Sequence, residues 1–508
     1  MAEIYTWERM MELRVVQINN THMKVYAEPS ICYELSDYFT FVVPGSRFHP
    51  AVKAKKWDGK IRLFNLMTKR LYLGLLGEVQ KFCDSRGYSL DTTDINWPYS
   101  DVPLSDVSAF MKALKLASNG NLLESRDYQE SAVHHAITNG RCLMLSPTAS
   151  GKSLILYSLI RWHRLKKRRQ LLIVPNTSLV EQMYSDFMDY STINGWDVEA
   201  NCARMYAKYG KTNDSAVVIS TWQSLQSQPP EYFSVFDVVY VDEAHGAKSK
   251  EMSNILENCV NAKYRIGVTG TLDGMKTNEK TIVGLIGPVF KVTTTKELMN
   301  AGTVANLKIK CINIEYPPEI RKIIKKPKEK SIRYHDEVDF LIQYEPRNKF
   351  IAKLTSAMKG NTLVLFRYVD KQGKPLYDLI KSYAKDKKVY YISGEVDTLD
   401  REEIRKIVDT ETDSIIVASY QTLSTGTNIK NLNNVVFAAP SKSRITVLQS
   451  IGRGLRKSDT KTKCTLYDLS DMFGTPAKPN HTMLHFMQRV EYYNQEQLDY
   501  DIKKVFLK

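Results

Sequence analysis

Between residues 143 and 469 the chain repeats one unit: a short apolar run followed by a stretch whose apolar positions recur at helical spacing. Such alternation predicts parallel strands covered by helices, an α/β fold. Strands are expected at 142–145, 170–174, 216–220, 238–241 and 264–268, and again at 362–366, 389–392, 414–418 and 434–438. These groups are of comparable size and suggest two tandem lobes of one architecture without shared sequence. Between them, Pro317, Pro318 and the basic run 322–330 interrupt the pattern, so a linker or insertion is expected over 311–345. Residues 1–115 lack the alternation and mix aromatic, β-branched and basic residues, which suits a small separate α+β module. The expected order is therefore a module at 1–115, a first lobe at 116–310, the linker, a second lobe at 346–472 and a helical extension at 473–508.

Length agrees with several cores, since 508 residues exceed the roughly 250 to 300 at which single cores stop growing. No run approaches the roughly 18 to 20 apolar residues of a membrane span. Glu3, Glu8 and Arg9 break the order of a signal peptide, so a cytoplasmic protein without membrane partners is expected. The seven cysteines lie far apart with no C-x-x-C pair, which argues against a zinc site or disulfide framework and for buried, reduced thiols. A net charge of +15 favours polyanionic partners, nucleic acid first among them, the alternative being that the excess serves solubility alone.

Chemistry concentrates at two places. Ser146-Pro147-Thr148-Ala149-Ser150-Gly151-Lys152-Ser153 follows an expected strand and opens an expected helix, the context of a phosphate-binding loop. Backbone amides would cradle the phosphates of ATP, Lys152 would neutralise their charge, Ser153 would bind Mg²⁺ and Gly151 would let the backbone approach. Ser146 stands where the pattern usually has its first glycine. The apolar run ending in Asp242-Glu243-Ala244-His245 delivers two adjacent carboxylates, Asp242 to hold Mg²⁺ and Glu243 to orient or deprotonate the attacking water.

With these the chain resembles the superfamily 2 helicases of the DEAH-box-like kind, through motifs in the family's own order. Arg126-Asp127-Tyr128-Gln129 resembles the adenine-recognition element, with Gln129 as base reader. Pro175, Asn176 and Thr177, then Thr221, Trp222 and Gln223, resemble strand-contacting motifs, while Thr269, Gly270 and Thr271, with His245, resemble the coupling motif. In the second half Ser424 to Ile429 resembles motif five, with Thr425 as a strand contact and Gly426 at the nucleotide. Asn428 departs from the aspartate often found there, which puts ribose contacts in doubt. Gln449, Arg453 and Arg456 resemble the phosphate-sensing motif six. The resemblance implies an ATP-driven motor whose site is complete only when two lobes close, hydrolysis reopening them.

The segment from Arg47 to Arg70 sets eight basic residues against one acid, Asp58, with Phe48, Trp57 and Phe64 interleaved. Lys55, Lys56, Trp57, Lys60 and Arg62 are the expected nucleic-acid contacts; alternatively Trp57 and Phe64 are core residues and the lysines only solvate them. Arg47-Phe48-His49-Pro50, Lys56 to Leu63 and Gly74-Leu75-Leu76, with Leu448 to Arg453, are similar to UvsW-type helicases of T4-like bacteriophages, nearly end to end. That resemblance implies ATP-dependent branch migration, unwinding of R-loops and D-loops and strand annealing, in recombination, repair and replication. It also implies branched DNA or RNA–DNA hybrids as partners, possible phage recombination proteins beside them, and the infected host's cytoplasm. A restriction-type duplex translocase and an ATP-regulated annealing clamp remain alternatives. The run 161–169 reads either as a further DNA surface or as a solvated helix end.

Overall fold

The computed structural model describes residues 12–206, 215–324, 333–396, 398–424, 429, 431–455, 461–474 and 477–507. They divide into two compact units, one reaching to Ser146 and continuing over Gly151–Val292, the other holding Pro147–Ser150 and everything from Thr293 onward.

The first unit opens with a four-stranded sheet. Strands β1 (Glu12–Gln17), β2 (His22–Tyr26), β5 (Arg70–Tyr72) and β6 (Ser89–Asp94) lie in the order β5-β2-β1-β6. Helices α1 (Pro29–Tyr38) and α2 (Leu76–Arg86) contribute Leu35, Val79 and Phe82 to its core. A two-stranded ribbon, β3 (Thr40–Val42) with β4 (Lys60–Arg62), projects the basic segment. The expected boundary at 115 moves earlier. Helix α3 (Leu104–Ala113) places Val107 and Met111 in the core of the following lobe, because its apolar face matches that core and not the module's.

In that lobe seven parallel strands run β7 (Arg141–Leu145), β8 (Gln170–Val174), β9 (Cys202–Met205), β10 (Val217–Thr221), β11 (Val238–Asp242), β12 (Tyr264–Thr269) and β13 (Val289–Lys291), in the sheet order β9-β10-β8-β11-β12-β7-β13. Their central members are buried on both faces, which is why they read as continuous apolar runs. The second unit has β14 (Asn306–Glu315), β15 (Thr362–Phe366), β16 (Val389–Ile392), β17 (Ile415–Ser419), β18 (Asn434–Phe437), β19 (Lys463–Met472) and β20 (Tyr500–Phe506), ordered β16-β17-β15-β18-β19-β14-β20. Numbered within each lobe, both sheets have the order 3-4-2-5-6-1-7 with every neighbour parallel. The two lobes are one RecA-like architecture used twice, and each of the nine strands expected from the pattern is present within a residue of its expected ends.

Two expectations are corrected. The first lobe does not extend to 310, nor is 311–345 a linker: Asn306–Glu315 is a strand of the second sheet, paired with β19 along its whole length. Pro318 opens a short helix, Pro318–Ile324, where its fixed φ suits the first turn. Helix α10 (Tyr334–Gln343) buries Glu337, which accepts from Thr482 N at 2.7 Å and Asn480 Nδ2 at 2.6 Å. Nor is the carboxyl end only helical. After α14 (His481–Gln495), β20 pairs with β14 as the sheet edge, and its exposed polar residues hid it from the apolar count. Arg489 of α14 is buried against Asp468 of β19 at 2.7 Å, and Tyr493 Oη donates to the same carboxylate at 2.8 Å.

All seven cysteines are buried and free, in line with the sequence reading. No helix among the described residues is long and apolar enough to cross a membrane.

Candidate active site

The carboxyl ends of β7, β11 and β12 carry the loop, the acidic pair and the coupling residues. Adjacent parallel strands therefore bring together segments remote in sequence. Ser146 leaves β7 with its amide bonded to Thr269 O at 2.9 Å. The loop turns through positive φ at Ala149 (67°) and Gly151 (83°), then enters α5 (Lys152–Leu165). Gly151 adopts a φ that L side chains rarely take, and a Cβ there would also displace the Gln129 side-chain amide. Gln129 is 4% exposed in the first turn of α4 (Asp127–Asn139), with Oε1 accepting from Arg126 N at 3.0 Å. The adenine-reading candidate is thus pinned against the loop. Ser150 Oγ donates to Pro147 O at 2.7 Å inside the turn that also carries Thr148.

Lys152 Nζ reaches Ser146 O at 3.4 Å, and Gly270 lies beside it. Asp242, at the end of β11, is 7% exposed; Glu243 follows at φ 50°, its amide donating to Asp242 Oδ1 at 2.9 Å. Burial first, and then the adjacent Glu243 charge, pushes the Asp242 carboxyl up. Burial also opposes ionisation of Glu243, yet Lys152, followed by His245, holds it below its ordinary range. His245 Nδ1 is 3.1 Å from Thr269 Oγ1 and 3.3 Å from Glu243, and Thr269 Oγ1 donates to Thr271 O at 3.1 Å. A connected line therefore runs from the water-activating candidate to the coupling residues.

These groups fit a magnesium–nucleotide complex. Asp242 and Ser153 offer hard oxygens, and a divalent cation would relieve the cost of two ionised carboxylates in a buried place. Among the described residues no cluster of three or more His, Cys, Asp or Glu is placed to hold a metal ion alone.

Pro175, Asn176 and Thr177 cross from β8 into α6 (Thr177–Ser191), where Asn176 Oδ1 caps the helix by accepting from Leu179 N at 3.0 Å. Gln223 Nε2 donates to Pro175 O at 3.4 Å, which joins the two strand-contacting motifs. Thr221 is 2% exposed and its hydroxyl accepts from Ser224 N at 3.3 Å, so that side chain is not offered to a ligand, whereas Trp222 is half-buried and Gln223 exposed. Gln449 and Arg453 lie four residues apart on α13 (Arg444–Gly454), one face of one helix. Thr425, Gly426 and Arg456 fall outside the described residues.

In the amino-terminal ribbon Lys55, Lys56, Lys60 and Arg62 are exposed, Arg62 pairing with Asp58 at 2.5 Å. Trp57 is half-buried, donating Nε1–H to Lys60 O at 2.9 Å with His49 at its edge, and Phe48 is 62% exposed. Phe64, by contrast, is a core residue at 1%. Of the two rings that the core reading named, Phe64 alone is core, and the exposed basic side chains are left as candidate contacts. In the run 161–169, which begins in the last turns of α5, three arginines pack on their own lobe, Arg161 over Trp196, Arg168 over Tyr264 and Arg164 donating to Asn201, while Lys166 and Lys167 are exposed.

Sequence reasoning missed two sets of residues. Arg141 and Arg265 begin neighbouring strands as fully buried cations. Tyr190 bonds to Ser153 from the far end of α6. Apolar runs opening on an arginine were the one available signal for the first; nothing in the spacing announced the second.

Three family models match the chain: the amino-terminal domain of the DNA helicase UvsW over residues 12–93, the res subunit of type III restriction enzymes over 122–274, and the helicase conserved C-terminal domain over 346–458. The ATP-dependent DNA helicase uvsW of Enterobacteria phage T4 is 36% identical over 98% of this chain and 100% of its own. The crystal structure of T4 UvsW superposes with a TM-score of 0.53 at 34% identity, covering 98% of this chain and 100% of that one. The DUF1998 helicase MrfA bound to DNA is similar in fold alone, with TM-score 0.53 at 17% identity over 80% of this chain and 56% of that one.

Proposed function

We propose that this chain, which belongs to the UvsW family of ATP-dependent DNA helicases, spends ATP on remodelling branched DNA. The reactions are branch migration, unwinding of R-loops and D-loops and strand annealing, in phage recombination, repair and replication. The observation that supports the reading is the line Lys152, Glu243, His245, Thr269, which links the lysine of the candidate loop to the candidate coupling residue. Mg²⁺ bound with ATP supplies charge neutralisation of the transferred phosphoryl group.

The chain's own residues do the rest. Lys152 binds phosphate, Gln129 reads adenine against Gly151, and Ser146, Pro147, Thr148, Ala149 and Ser150 shape the loop. Glu243, kept ionised by Lys152 and His245, takes the proton of the attacking water. Gln449, Arg453 and Arg456 sense the phosphates. Strand contacts are assigned to Pro175, Asn176, Thr177, Trp222 and Gln223, and to the ribbon residues Lys55, Lys56, Trp57, Lys60 and Arg62.

The match of residues 122–274 to a restriction-enzyme motor subunit favours one competing reading, a translocase that tracks duplex DNA without opening it. The deciding experiment measures ATPase rate and strand displacement on single-stranded DNA, duplex, four-way junction, R-loop and RNA. Stimulation and displacement on branched DNA are expected. Stimulation by plain duplex without displacement would transfer the case to the translocase.

A further inference from the structure

The hydroxyl assigned to Mg²⁺ has a fixed partner: Tyr190 Oη lies 2.8 Å from Ser153 Oγ. Tyr190 is the penultimate residue of α6, and its ring meets Tyr157 of α5 edge-on with centroids 5.4 Å apart. The end of α6 is stapled in place, since Asn194 Nδ2 donates to Tyr190 O at 3.1 Å and to Leu114 O at 2.7 Å. Its beginning is held by the Asn176 cap. The phenol therefore reaches Ser153 from a rigid base.

We propose that Tyr190 is a positioning residue for the metal-bearing nucleotide, holding the Ser153 hydroxyl so that Oγ presents a lone pair to Mg²⁺. The inference rests on the assignment of Ser153 as a magnesium contact. A serine hydroxyl has one proton and two lone pairs. Unrestrained in a first helical turn it samples several staggered rotamers and can turn toward backbone carbonyls. A phenol oxygen at 2.8 Å selects one rotamer, and the bond between the two hydroxyls, in either direction, leaves Oγ a lone pair for the loop. Magnesium rewards that order, because it demands near-octahedral geometry at about 2.0–2.1 Å and gives up water reluctantly.

The test is a Mg²⁺ titration of the full-length protein with a fluorescent, non-hydrolysable ATP analogue, for wild type, Tyr190→Phe, Ser153→Ala and Tyr157→Phe. The last variant is the control. Tyr157 Oη bonds Ser191 Oγ at 2.8 Å and accepts from Arg161 Nη1 at 2.7 Å, so its loss perturbs the same helix pair elsewhere. Tyr190→Phe should raise the half-saturating Mg²⁺ concentration about threefold to tenfold, the worth of one hydrogen bond. Ser153→Ala should raise it at least as far and Tyr157→Phe should not move it, with the melting midpoint of Tyr190→Phe near that of wild type. A Tyr190→Phe titration matching wild type, or one shifted to lower Mg²⁺, would overturn the proposal while the Ser153 assignment stands. An equal shift in Tyr157→Phe would trace the effect to helix packing and overturn it too. If Ser153→Ala leaves the titration unchanged, the metal assignment itself falls and takes the inference with it.

Discussion

Arg265 Nη2 donates to Thr21 Oγ1 at 2.6 Å, a bond between the start of a core strand and a turn 244 positions earlier in the chain. The same guanidinium donates to Leu256 O at 3.1 Å, Cys259 O at 2.6 Å, Ala262 O at 3.1 Å and Leu285 O at 2.9 Å. Leu256 lies in the last turn of α8 (Lys250–Asn258), and Leu285 closes α9 (Lys276–Leu285). The cation therefore meets the negative ends of two helix dipoles. Beside it Arg141 donates to Ile286 O at 3.1 Å and Asn20 O at 2.6 Å. Tyr72 Oη donates to Glu257 at 2.6 Å, and a Cβ on Gly284 would come within 2.8 Å of the Tyr72 side chain. The amino-terminal module and the first lobe are in this way one packed body.

Arg265→Ala should therefore loosen the module as well as the lobe. Removing a buried cation leaves several carbonyls without donors, and a loss of about 3–5 kcal/mol is expected. The unfolding midpoint should fall, and limited proteolysis should cut between residues 95 and 103. Wild-type resistance to protease in this variant would contradict the single-body description.

Lys152→Ala should lower nucleic-acid-stimulated ATPase by at least about 100-fold, because the charge on the transferred phosphoryl group loses its placed cation. Steady-state phosphate release measures it, alongside an unchanged melting midpoint. Retained hydrolysis would refute the assigned loop.

Thr269→Ala removes the hydroxyl that His245 Nδ1 meets at 3.1 Å. Strand displacement per ATP hydrolysed should fall by about tenfold, a change worth one good hydrogen bond in the coupled step. Hydrolysis itself should change much less. Equal loss of both would make Thr269 part of the chemistry and not of its coupling.

Replacing Lys55, Lys56 and Trp57 together with alanine should weaken single-stranded DNA binding. Two lost phosphate contacts should also flatten the dependence of log affinity on log salt by about 1.4. Unaltered affinity would mark the ribbon as structural only.

His163 is fully buried, with Arg168 Nη1 donating to its Nδ1 at 2.8 Å. Burial, and next the Arg168 charge, holds its pKa down at about 3 against an ordinary 6.5. Between those values the unfolded chain binds a proton that the folded chain refuses, so stability falls as pH falls from 6.5 toward 3, by about 1.4 kcal/mol per pH unit from this group. Above 6.5 the term vanishes. Urea unfolding of His163→Gln across that window should show a shallower loss than wild type; parallel curves would remove His163 as the cause.

Much of the site was legible because its signals are local. Gly151, Lys152 and Ser153 directly after an apolar run, and Asp242 with Glu243 at the end of another, specify loop chemistry without knowledge of distant contacts. The ribbon was legible in composition but not in role, since Trp57 and Phe64 look alike in sequence and only packing separates a half-buried indole from a core ring. Strand β20 went unread because an edge strand with one exposed face carries few apolar residues, and Tyr500–Phe506 satisfies its backbone only once β14 lies beside it.

By itself the sequence determined the α/β class, nine of the strands, eight of them interior to their sheets, and the candidate phosphate and carboxylate segments, because buried parallel strands and phosphate loops impose residue types at short range. Tertiary structure alone decided that both sheets share the order 3-4-2-5-6-1-7, that Asn306–Glu315 belongs to the second, that Arg141 and Arg265 bind module to lobe, and that Tyr190 meets Ser153. Those facts depend on which remote segments come to lie within a hydrogen bond of one another, and the spacing along the chain places no constraint on that.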